Sequence, residues 1–159
     1  MKHHSFRKAF SLLTAIIVVI LMSTVAMFIM SLSGKLVKET TAQYQREQAE
    51  LYAKSYTEYA ILAVTANDRV SSNCLRDIDG TIGDPLNGGY RIRARIAYIG
   101  QNTQVASCAA TRVLSNSVTT IKSPLSIIVD VYVEYKEPDH PNSAQAPWIT
   151  YHKRTLQKI

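Results

Sequence analysis

Few side chains in this sequence have the type and spacing to do chemistry, and their placement argues against most of the usual kinds. His140 and His152 are the histidines outside the N-terminal stretch MKHHSFRKA, and neither stands in a nucleophile or metal motif. No enzyme is expected. Cys74 and Cys108, about 34 positions apart, lack CxxC spacing and a neighbouring histidine, so no structural zinc is expected. In an oxidising compartment the pair can close into a disulfide worth about 3.5–4 kcal/mol; the other reading is two buried, unpaired thiols. Asp77-Ile78-Asp79-Gly80 with Asp84 offers carboxylates for calcium, but the spacing fails the EF-hand pattern and a plain turn is expected. The sequence thus calls for no metal and no cofactor.

The remaining candidates are cations. Arg91, Arg93 and Arg95 share one face of an alternating run, and with Arg112, His152, Lys153 and Arg154 they could form a surface for DNA phosphates or a protein partner. No aromatic residue is read as interleaved there, so a solvated strand face or a cross-strand charge ladder is favoured over nucleic acid. Net charge is +6, but Lys2, Arg7 and Lys8 precede the apolar run and leave about +3 for the rest, which by itself is not a nucleic-acid-binding balance.

The elements that must position these residues begin with Ala9 to Gly34, an uncharged, proline-free run of about 25 residues, enough to span a bilayer core. Lys2, Arg7 and Lys8 precede it without an acid, whereas Lys35 and Lys38 are followed by Glu39 and Glu47, which favours a cytoplasmic N-terminus. A cleaved signal peptide, ending near Ser31-Leu32-Ser33, is the competing reading; its apolar region would be too long.

Nothing breaks the helix after the membrane. No proline occurs before Pro85, and one helix of about 55 residues is expected from Phe10 to Ala66, with Asn67 and Asp68 ending it. In its second half Ala49, Tyr52, Ala53, Tyr56, Tyr59, Ala60 and Ala63 mark a face for packing, away from Arg46, Glu50, Lys54 and Glu58. Lys38 to Gln48 is polar nearly all round, so it stays bare in water or is covered by neighbouring copies.

Glycines, Pro85 and Asn87 then make a turn-rich connection before Tyr90 to Ile99, which alternates apolar and basic residues as a half-buried strand does. Leu125 to Tyr135 alternates likewise and could pair with it, arginines facing Asp130 and Glu134. Trp148 to Leu156 reads as a final strand, and a short one is open around Ala106 to Asn116. The expected fold is α+β, a long N-terminal helix on a small antiparallel sheet. Its parts are a basic leader (1–9), a transmembrane helix half (10–34), an amphipathic helix half (35–67) and a β-rich domain (68–159).

The basic MKHHSFRKA, then Phe10-Ser11-Leu12-Leu13 opening an apolar helix that turns amphipathic before a small sheet, resembles the type IV pilins and the pseudopilins of type II secretion and DNA-uptake machines. Residue-level similarity is confined to about the first third of the chain, where such sequences share their processing and membrane segment. The resemblance implies cleavage by a prepilin peptidase between Ala9 and Phe10, methylation of the new amine, and assembly through the helix with other pilin-like subunits and the platform of a secretion, pilus or competence apparatus. It implies an inner-membrane protein with a periplasmic domain. The family usually has Gly where Ala9 stands and Glu where Thr14 stands, and certain tip pseudopilins resemble this chain in lacking the acid. A minor subunit is therefore expected. The alternative is an unprocessed single-pass protein with a periplasmic binding module.

Overall fold

The computed structural model describes residues 6–69, 73–118, 125–137, 140, 142 and 145–159, with the side chains of 6–11 outside that description. The chain divides into two compact units, Met1–Gln43 and Tyr44–Ile159. Helix α1 (Phe6–Ala66) contributes to both. It already includes Phe6, four residues before Phe10 and inside the stretch read as a leader, and ends at Ala66 as expected.

In the first unit α1 is apolar with every described side chain from Leu12 to Thr40 exposed. By length and composition this helix can cross a membrane. Ser23, Thr24 and Thr40 turn their hydroxyls back onto the helix carbonyls of Val19, Leu21 and Leu36, so they add no unsatisfied donor to that surface.

The second unit is an α+β domain. Strands β1 (Asp77–Ile82), β2 (Tyr90–Gly100), β4 (Leu125–Lys136) and β5 (Trp148–Lys158) lie in that order, each antiparallel to its neighbour. The three-residue β3 (Val113–Ser115) runs parallel to the far end of β2, after a short helix α2 (Asn102–Val105) and a 3₁₀ turn (Ala110–Arg112). The expected strands at 90, 125 and 148 are all present. β1 was not expected: Asp77, Asp79 and Gly80 sit in a strand, and the turn begins only at Gly83, where φ is +69°. Six residues with two aspartates and a glycine give too weak a strand pattern to read alone; the partner β2 supplies the pairing.

Alternation decides what the sheet buries. Ile92, Ala94, Ile96 and Tyr98 of β2 and Ile127, Val129, Val131 and Val133 of β4 form an inner face with no exposed surface. Each such isoleucine or valine side chain stabilises the fold by about 1.5–3 kcal/mol. Ala49, Ala53, Ala60 and Val64 of α1 join the same core, their small side chains letting the helix lie close to the strands. Tyr52 and Tyr56 flank that contact, Tyr52 meeting Tyr90 edge-on at 5.0 Å and Tyr90 meeting Tyr135 at 5.6 Å.

The packing face of α1 differs in part from the one expected. Tyr59 is exposed and Ala63 half-buried, while Thr57 and Val64 complete the contact. At 100° per residue Tyr59 falls a full step away from Ala60, and Thr57 tolerates burial because its hydroxyl donates to the Ala53 carbonyl at 2.7 Å.

Candidate functional site

The outer face of the sheet gathers the charged residues. Register sets Arg91 opposite Glu134, Arg93 opposite Tyr132 and Arg95 opposite Asp130, while Asp130 also faces Arg154 of β5. Asp79 lies beside Arg93 and Asp77 beside Arg95 on the other flank.

The side chains settle into three groups rather than a simple ladder. Glu134, whose side chain is 8% exposed, takes both Arg91, at 2.5–2.6 Å, and Arg93. Arg95 turns away from Asp130 toward Asp79 and Asp77, and Arg112 reaches Asp77 at 2.6 Å. Asp130 is held by Arg154 through two bonds of 2.7 and 2.9 Å, and His152 Nε2 lies 2.8 Å from the same carboxylate. The Arg154 guanidinium, helped by His152 and opposed by burial, holds the Asp130 carboxyl below its ordinary pKa.

Aromatic rings share this face, which the sequence reading missed. Arg91 sits 4.6 Å from the Trp148 ring centroid and Lys136 Nζ 5.2 Å from it, and Tyr132 stacks on His152 at 4.5 Å. Tyr132 takes this face by the alternation of β4, opposite Arg93, and the missing signal was the register of β5, which sets Trp148 beside Lys136 and His152 beside Tyr132.

The other candidates separate. Cys74 and Cys108 form a disulfide, Cα atoms 4.8 Å apart, that ties the segment before β1 to the turn after α2. Asp84 serves its own turn: its carboxylate accepts from the Leu86 amide and the Asn87 side chain, and its carbonyl from the amides of Asn87 and Gly89. It stands apart from Asp77 and Asp79, which bind arginines, and the described residues contain no cluster of His, Cys, Asp or Glu able to hold a metal. His140 bonds within its own loop, to Asn142. Thr14 lies exposed in α1; Ala9 and Phe10 are in the same helix, their side chains outside the described residues.

Fold and surface together define an α+β domain carried on a helix long and apolar enough to cross a membrane. Comparison with protein-family models, curated proteins and solved structures finds no match.

Proposed function

We propose that this chain is a pilin-like structural subunit of the minor pseudopilin kind. It is cut between Ala9 and Phe10 and methylated there, held in the inner membrane by α1 with the sheet domain in the periplasm, and assembled helix against helix into a type II secretion, type IV pilus or DNA-uptake apparatus. It acts by assembly and not by catalysis.

The observation that carries this reading is the surface of α1. In the sheet-bearing unit one face of the helix is buried, yet Tyr44, Leu51, Tyr59 and Leu62 remain 55–66% exposed. With Gln48 and Ser55 between them they recur at three-, four- and seven-residue steps, an uncharged stripe on the side turned from the sheet. Water is a poor partner for that stripe, and so it is for the exposed apolar run from Leu12. Lipid and the helices of neighbouring subunits satisfy both.

Thr14 supports a minor place. An N-terminal amine adds to the positive end of the helix dipole in a medium where unpaired charge is costly, and Thr14 brings no carboxylate to offset a neighbour's amine. The chain therefore belongs at an end of the filament. A photo-crosslinker at Leu51 or Leu62 in producing cells should trap pilin-like partners, and one at Lys54 should not. Absence of adducts at all three positions contradicts assembly through this face.

A further inference from the structure

We infer that the open face of the sheet binds single-stranded nucleic acid. The inference does not depend on processing or filament assembly. A four-strand antiparallel path with a helix on one side turns its other side outward, where the side chains of Arg91, Arg93 and Arg154 are 43%, 40% and 65% exposed.

Charge selects a polyanion. On that face Arg91, Arg93, Arg95, Arg112, Lys136, Arg154 and Lys158 outnumber Asp77, Asp79, Asp130 and Glu134 among the described strand and turn residues. The surplus is concentrated where Arg91 and Arg93 share the one carboxylate of Glu134. Glu134 is buried, while the two arginine side chains are 43% and 40% exposed, so both guanidinium groups keep surface for phosphate oxygens even though the Arg93 Nε itself is buried.

The rings distinguish nucleic acid from an acidic protein. Unpaired bases stack on aromatic side chains and on guanidinium planes, and sheet faces that bind single strands combine both with cations. Trp148, 38% exposed and overlaid by Arg91, and the Tyr132–His152 stack offer two such platforms in the cationic field. Carboxylate side chains would have no use for them. Tyr132 and Trp148 interleave with the arginines of this face through the registers of β4 and β5.

The test uses the full chain in zwitterionic detergent and a fluorescein-labelled oligodeoxythymidylate, followed by anisotropy across a salt series. Saturable binding that weakens with salt is expected. Trp148→Ala should weaken it about tenfold. Arg91→Gln, Arg93→Gln and Glu134→Gln combined, which remove two cations without stranding the buried carboxylate, should lower the slope of log affinity against log salt by about 1.4. No saturable binding, or wild-type affinity and slope in both variants, overturns the inference. Competition by polyglutamate as strong as by unlabelled oligonucleotide also overturns it and assigns the face to an acidic protein.

Discussion

The hydroxyl of Tyr56 occupies the space above Gly80 that any larger residue would need. This contact sets Tyr56 of α1 against the first strand and explains why a glycine interrupts β1. Gly80→Ala should therefore destabilise the domain by about 1–3 kcal/mol. Tyr56→Phe removes the obstructing oxygen but leaves ring carbons 3.1 and 3.4 Å from the added methyl, so the double variant should recover part of that loss in chemical denaturation.

Glu134 should matter more to stability than any other carboxylate of the outer face. It is nearly buried and holds two guanidinium groups, so Glu134→Gln should cost about 1–3 kcal/mol. Asp79→Asn, at a side chain 60% exposed, should cost less than about 1 kcal/mol. Paired denaturation curves of the two variants decide the ranking.

Alkali should loosen the core at its tyrosines. Burial pushes Tyr98 up to about 12, and its hydroxyl donates to the Leu75 carbonyl at 2.6 Å. Tyr90 is likewise raised to about 12, chiefly by burial and then by the nearby tyrosines Tyr52 and Tyr135. A folded value above the unfolded one near 10 means that the stabilisation is whole below about pH 10 and is lost as pH rises toward 12. Tyrosinate absorbance should show a late phase from these two rings, together with the onset of unfolding. In Tyr98→Phe the late phase should shrink.

Acid should act through Asp130 in the opposite sense. Its lowered value means that the contribution of its contacts to Arg154 and His152 is present above about pH 4 and fades as pH falls through the folded value. Asp130→Asn should flatten the stability–pH curve in that acid range, measured by thermal melts at low salt.

Much of this architecture was legible in the residues because alternation and helical spacing are strong signals. Tyr90–Tyr98 and Ile127–Tyr135 announced the inner face, and every one of those side chains that was assigned to it is buried. β1 was hidden because Asp77, Asp79 and Gly80 carry turn chemistry in isolation and become a strand only by pairing with β2. Tyr59 misled because an aromatic ring on a helix suggests a core, while the rotation that turns it outward depends on which side meets the sheet. The outer face was half legible: the arginines and His152 were grouped from the residues, but Lys153, grouped with them, alternates to the inner side opposite Val131, and Trp148 reaches the arginines only through the register of β5. That register follows a connection rich in proline and polar residues, which fixes no phase by itself.

The proposed role of α1 as a processed assembly helix is tested most directly by the state of its N-terminus. Intact mass and N-terminal sequencing of the protein recovered from native membranes should show a chain that begins at a methylated Phe10. A chain that still begins at Met1 would contradict the account and leave an unprocessed single-pass protein with a periplasmic binding domain.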